Sequence, residues 1–81
     1  MPETTIAAAA LLMDARDCLD RVTRHERWGC SAMDYAWQAS AYLRLAGLHD
    51  LADECSDEFG IDAAAVIAEI DRELTRLRAA A

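Results

Sequence analysis

The fold is decided by TIAAAALLMDARDCLDRVTRHER, residues 5–27. Apolar side chains recur in this stretch at alternating intervals of four and three residues, and acids and arginines occupy positions between them. This spacing places the apolar side chains on one stripe of an α-helix and the charges on the opposite face. We therefore predict an amphipathic helix over about residues 5–27. Its core-facing stripe consists of Ala8, Leu12, Ala15, Leu19 and Val22.

Three glycines divide the chain into four segments that share this helical periodicity. Glycine ends helices readily because it adopts the left-handed conformation without steric cost, so helix ends are predicted near Gly29, Gly47 and Gly60. The predicted helices cover about residues 5–27, 32–46, 48–58 and 63–78. The predicted fold class is all-α, a compact four-helix bundle with a short third helix, in a single helical domain over residues 1–81.

Two of the predicted helix starts carry recognisable capping residues. Ser31 with Asp34 three residues later approximates a capping box, which favours a start of the second helix just after Ser31. Asp62 is a typical N-cap residue for the fourth helix. Ile61 and Val66 occupy the hydrophobic staple positions around it.

The negative charge of the chain is concentrated in one third of its length. Residues 45–71 contain eight acids and no Lys or Arg, whereas the segments before and after them carry −1 and +2, for a total of −7. This charge argues against direct binding to nucleic acid or to an anionic membrane. The longest apolar run, residues 6–13, is far shorter than the about 20 residues that span a bilayer. No basic region precedes it, so no signal peptide is predicted.

The cysteines and histidines do not show the spacing of a metal site. They are Cys18, His25, Cys30, His49 and Cys55. Zinc sites normally contain a local C-x2-C or H-x3-5-H pair, and none is present, so no metal and no other cofactor is predicted. Cys18 and Cys55 fall on predicted core faces, which favours reduced thiols and a cytoplasmic location. Cys30 precedes a helix start, where a thiolate is stabilised. A small cysteine-dependent enzyme using it with His25 or His49 is therefore an alternative, although we predict that the protein is not an enzyme.

The second predicted helix is apolar on two sides. One side is a small-residue seam formed by Ala32, Ala36, Ala39, Leu43 and Ala46. The other side, called the tryptophan row below, consists of Met33, Trp37, Ala41 and Leu45. Trp37 and the neighbouring Arg44 are residue types enriched at interface hot spots. Two alternatives follow: the row is buried in the core of the bundle, or it is an exposed strip used for dimerisation or partner docking.

The inward side of the third predicted helix consists of Leu48, Leu51, Ala52, Cys55 and Phe59. Its outward face is made of acids and is called the acidic face below. Its members are Asp50, Asp53, Glu54, Asp57 and Glu58. Like charges at these spacings repel, at a cost of a few tenths of a kcal/mol per pair. Five charges along about 12 Å of helix correspond to one charge per roughly 2.5 Å. This spacing lies between the values for DNA, which are about 1.7 Å per charge for both strands and 3.4 Å for one. A helix selected only for stability would include Lys or Arg, so this face is a candidate binding surface.

These features favour binding rather than chemistry. The hypothesis is a small acidic inhibitor that occupies a basic, nucleic-acid-binding surface of a protein partner and so acts as a nucleic-acid mimic. In size, charge and helical content the chain resembles small acidic anti-defence proteins of phages and mobile elements, including anti-CRISPR proteins. That resemblance implies a protein partner with a basic surface. The alternative is a homodimeric helical module, structural or regulatory, whose acids only provide solubility.

Overall fold

A computed structural model describes residues 3–80, with side chains from residue 5 onward. Its elements are α1 (Glu3–Thr23), α2 (Cys30–Leu45), α3 (His49–Cys55) and α4 (Ala63–Ala80). No strand occurs in the described residues, of which 79% are helical. The all-α class and the bundle of four helices with a short third one are thereby confirmed.

The bundle is arranged around α1, which packs against both α2 and α4. The short α3 packs mainly on α2 and touches α4. The predicted stripe of α1 forms the centre of the core, since Leu12, Ala15 and Leu19 are buried. From α4, Ile70 and Leu74 complete the core. The small-residue seam of α2 is buried as predicted, with Ala46 partly covered.

Two helix boundaries around the first loop differ from the prediction. Helix α1 ends at Thr23 rather than Arg27, because the next two backbone N–H groups, of Arg24 and His25, bond three residues back instead of four and tighten the last turn. Helix α2 begins at Cys30, since the carbonyl of Gly29 already accepts the N–H of Met33 at 2.8 Å. The predicted capping box at Ser31 is therefore wrong.

The end of α2 is a Schellman motif, which agrees with the glycine prediction at this position. Gly47 has φ +86°, a left-handed conformation that only glycine adopts easily. Its N–H bonds to the carbonyl of Arg44, and the N–H of Leu48 bonds to the carbonyl of Leu43 at 2.9 Å. These two bonds turn the chain sharply, so α3 runs back along α2.

Helix α3 ends at Cys55, three residues earlier than predicted. The following backbone is engaged in other bonds: the Ser56 N–H bonds to the carbonyl of Asp53, and the carbonyl of Glu58 accepts the indole N–H of Trp28 at 2.8 Å. Phe59, expected on the inner side of a longer helix, is instead 88% exposed. That expectation fails because the four-residue interval from Cys55 no longer applies beyond the helix end.

Helix α4 begins as the sequence predicts. The carboxylate of Asp62 accepts the N–H of Ala65 at 3.1 Å, which confirms Asp62 as the cap, and Val66 is buried beneath it. The helix continues to Ala80, two residues beyond the predicted end. Arg16 of α1 reaches across to Asp71 at 2.8 Å, so an ion pair joins the two helices at their middle.

Candidate partner-binding surface

The acidic face is not one face of one helix. Asp50, Asp53 and Glu54 lie on α3, whereas Asp57 and Glu58 lie in the turn that follows it. All five side chains are exposed. The sequence predicted all five acids on one helix. This prediction is wrong for Asp57 and Glu58, because the helix ends before them.

Two members of the acidic face have partners inside the chain. The carboxylate of Asp53 pairs with the guanidinium of Arg44 on α2 at 3.0 Å. The carboxylate of Asp57 accepts the backbone N–H of Phe59 at 2.9 Å, which closes a local turn. Interactions within the fold thus explain the presence of these two acids without a binding partner. Asp50, Glu54 and Glu58 have no ion-pair or hydrogen-bond partner for their carboxylates among the described residues.

The other acids of residues 45–71 have structural roles on α4. Asp62 caps the helix, Glu69 pairs with Arg72 one turn away, and Asp71 pairs with Arg16. The charge of residues 45–71 that the fold leaves unpaired is therefore concentrated on α3 and its turn.

The tryptophan row is exposed, which decides between the two alternatives for it. Trp37 is 48% exposed, Leu45 is 74% exposed, Ala41 is also exposed, and Met33 is partly buried. The row stays outside because the opposite side of α2, the alanine seam, fills the contact with α1. Burial of the row in the bundle core, one of the two expectations, is wrong for this chain on its own.

A groove of about 700 Å³ runs along the exposed side of α2 to the end of α3. Its lining is formed by Trp37, Ser40, Ala41, Arg44, Leu45 and Ser56. The two serine hydroxyls lie 2.8 Å apart, and each is 2.9 Å from the carbonyl of Ala52. The two hydroxyls thus form hydrogen bonds with each other and with that carbonyl. The base of the groove therefore presents apolar surface and no unpaired polar group.

Arg44, named above as part of the candidate interface, forms one edge of the groove. Its guanidinium is held by Asp53 and remains about half exposed. It is the only Lys or Arg in residues 28–71, a stretch that holds nine acids. One of these, Asp34, is exposed one turn before Trp37 on the same helix. The groove is thus an apolar strip in negatively charged surroundings.

The three cysteines are free, with Cys18 and Cys55 buried as predicted and Cys30 exposed at the first turn of α2. Burial raises the pKa of the Cys55 thiol to about 11, and the charge of Glu54 adds to the shift. Desolvation likewise raises the pKa of Cys18. These shifts keep both thiols protonated and unreactive at neutral pH.

The histidines form neither a metal site nor a catalytic pair with Cys30 among the described residues. His25, a candidate base for Cys30, packs against the ring of Tyr35 at 6.0 Å between centroids. His49 begins α3. Within residues 3–80, no group of three or more His, Cys, Asp or Glu side chains is placed to hold a metal ion. None of the described helices is long and apolar enough to cross a membrane.

Two features of the structure were not anticipated from the sequence, the contact between two serines and the exposure of Phe59. Ser40 and Ser56 lie sixteen residues apart, and the hydrogen bond between their hydroxyls joins α2 to the end of α3. Ser40 was detectable only as one of the few polar residues of the second predicted helix. The exposed ring of Phe59 was missed because its four-residue interval from Cys55 has the pattern of a buried position.

Comparison with known proteins adds no relative. No protein-family model, no curated protein and no solved structure matches this chain. The geometry described above is therefore the basis for any statement about function.

Proposed function

We propose that this protein is a non-enzymatic protein-binding module, a small acidic inhibitor that occupies a basic, nucleic-acid-binding surface of a protein partner. The observation that carries the proposal is the exposed acidic face of α3 and its turn, three of whose carboxylates have no partner in the described fold. Opposite charges on a partner would complement them and steer association.

The charge distribution supports a basic partner over a neutral one. Asp50 and Glu54 are one helical turn apart on α3, so their carboxylates repel each other, and Glu58 adds a third charge in the turn. This repulsion destabilises the free protein slightly and is relieved when Arg or Lys side chains of a partner approach. The free protein thus carries a small cost that binding removes.

The nucleic-acid-mimic part of the proposal rests on which surfaces in a cell are basic. Proteins that hold DNA or RNA present clustered Arg and Lys to phosphates. An acidic protein that covers such a cluster would block nucleic acid without contacting nucleic acid itself. The similarity in size, charge and helical content to anti-CRISPR proteins supports this role by analogy. The proposal includes action in the cytoplasm, where three free thiols would stay reduced.

A charge-reversal variant tests the proposal. The combined substitutions Asp50→Lys, Glu54→Lys and Glu58→Lys should abolish capture of the partner from a host lysate. The matched control reverses three exposed acids on α1 and its following loop, Asp14, Asp17 and Glu26, which changes the net charge equally.

Three results are expected from the capture experiment. Capture should weaken as salt rises, because exposed charge pairs are screened. Added oligonucleotide should compete with the native protein for the captured partner. The control variant should capture as the native protein does. Capture that persists in the charge-reversal variant, or that salt and oligonucleotide leave unchanged, would contradict the proposal.

The exposed tryptophan row favours a second candidate function, a homodimeric structural or regulatory module. In that case the mass measured by light scattering would be that of a dimer for the native protein and that of a monomer for Trp37→Ala. A native protein that stays monomeric at high concentration would contradict this second candidate.

A further inference from the structure

We propose that the groove on α2 is the docking site for a basic amphipathic helix of the partner, which inserts an apolar ridge beside Trp37 and places Arg or Lys on the acidic face. This inference rests on the proposed function and adds the kind of partner segment that the surface fits. Three observations carry it: the chemistry of the groove, its length and the charges around it.

The chemistry of the groove selects an apolar contact. Trp37, Ala41 and Leu45 provide its exposed apolar surface. The hydroxyls of Ser40 and Ser56 are already engaged with each other and with a backbone carbonyl. A polar side chain entering between Trp37, Ala41 and Leu45 would lose water without a hydrogen bond from these three side chains, whereas an apolar one gains burial.

The length of the groove fits a helix of two turns. Trp37 and Leu45 are eight residues apart on α2, about 12 Å along the helix axis. A partner helix with apolar residues at intervals of four and three presents a ridge of similar length. Docking by strand addition would need an exposed sheet edge, and the described residues contain no strand.

The charges around the groove select a basic partner and disfavour a second copy of this chain. Asp34 lies at one side of Trp37, and Glu54 lies on the neighbouring α3, where Asp53 already balances the charge of Arg44 at the groove edge. A two-fold dimer places each surface patch against itself. Such an interface would bring these acids towards their own copies, between two chains that each carry −7. A basic helix meets the same charges with attraction.

The test uses dye-labelled synthetic peptides and fluorescence anisotropy. The probe is a helical peptide with Leu at intervals of four and three and Arg on both flanks. One control peptide has the same composition in scrambled order, and another has Glu in place of Arg. The patterned basic peptide should bind at least about tenfold more tightly than either control, because only it matches both apolar spacing and charge.

Variants of the protein locate the peptide. Trp37→Ser and Leu45→Ser should each weaken binding of the patterned peptide, Trp37→Ser by about 30-fold as at an interface hot spot. Met13→Ser is the matched control, since Met13 is 56% exposed on α1, and it should bind the peptide as the native protein does. Circular dichroism of each variant verifies that it is folded.

The outcomes separate this inference from the proposed function. Equal binding of patterned and scrambled peptides, lost in the Asp50, Glu54 and Glu58 charge-reversal variant, would overturn the groove and leave the acidic face as the binding surface. Retained binding of the patterned peptide to that variant would instead contradict the proposed function. Absence of binding by the patterned peptide, or a dimer in sedimentation that Trp37→Ser dissolves, would overturn the docking of a partner helix.

Discussion

Leu43 and Leu45 lie two residues apart on α2 in opposite surroundings. Leu43 is 0% exposed and Leu45 is 74% exposed. Replacing each by alanine removes the same atoms from the same helix, so the pair isolates the effect of burial. The comparison tests whether the tryptophan row is a free surface, on which the proposed function and the docking site depend.

The expected losses of unfolding free energy differ severalfold. Leu43→Ala should cost about 2–5 kcal/mol, through lost burial and the cavity left behind. At Leu45 only about a quarter of the side chain is covered, so the transfer loss falls from about 1.5–3 kcal/mol to about 0.4–0.8 kcal/mol. The higher helix propensity of alanine offsets part of it. Because a chain of this length has about 4–12 kcal/mol of stability, the first change removes a large share of it.

Urea denaturation followed by circular dichroism measures both variants against the native protein. The slopes of the transitions should agree, so that midpoints report stability directly. The reasoning would be refuted if Leu45→Ala destabilised the protein as much as Leu43→Ala. Repeating the measurement at low and high protein concentration then shows whether a second copy covers Leu45, because only a dimer becomes more stable with concentration.

Further predictions concern the glycines and the thiols. Gly60→Ala should destabilise the protein by about 1 kcal/mol or more, because φ is +136° there. Gly29→Ser should add a side-chain N-cap to α2 and stabilise the protein by a few tenths of a kcal/mol. The midpoints of urea denaturation measure both changes. A maleimide should label the folded protein at Cys30 alone and label all three cysteines in denaturant, as mass spectrometry would show. Stability should fall as pH rises from about 9 to about 11, because the unfolded chain loses the Cys55 proton before the folded protein does. Cys55→Ala should reduce that slope in urea titrations at each pH.

The helices were predictable where local chemistry determines them. The stripe of α1 from Ala8 to Val22 and the cap at Asp62 depend on residues within one or two turns of each other. The same holds for the end of α2 at Gly47, where the required left-handed conformation is a property of one residue type. Sequence pattern is sufficient for such features because their partners are close along the chain.

The end of α3 was not predictable for the opposite reason. Trp28 binds the carbonyl of Glu58 from thirty residues away, and that bond helps to hold the turn in which Asp57 and Phe59 lie. The bond between Asp57 and Phe59 is local, but a Ser-Asp-Glu stretch also fits one more turn of helix, so residues 55–59 alone do not distinguish the two. The prediction therefore placed all five acids on one helix face, although two of them lie in the turn, and it placed Phe59 in the core.

The exposure of the tryptophan row illustrates a second limit. An apolar row at intervals of four has the same pattern whether it is buried or exposed. The outcome depends on which side of α2 fits α1 more closely, and the alanines of the seam allow the nearer approach of the two helices. Competition between two apolar sides is a property of the packed bundle, so the sequence left both alternatives open.

The shortness of α3 has a consequence for hydrogen exchange. This helix of seven residues buries only Ala52 and Cys55, whereas α1, α2 and α4 are longer and contribute most of the core. Elements with little buried surface open locally at lower free energy than the whole protein unfolds. Backbone amides of α3 should therefore exchange with solvent long before those of α1. A partner that holds α3 closed would slow this exchange, so its binding would be visible as protection confined largely to residues 49–55.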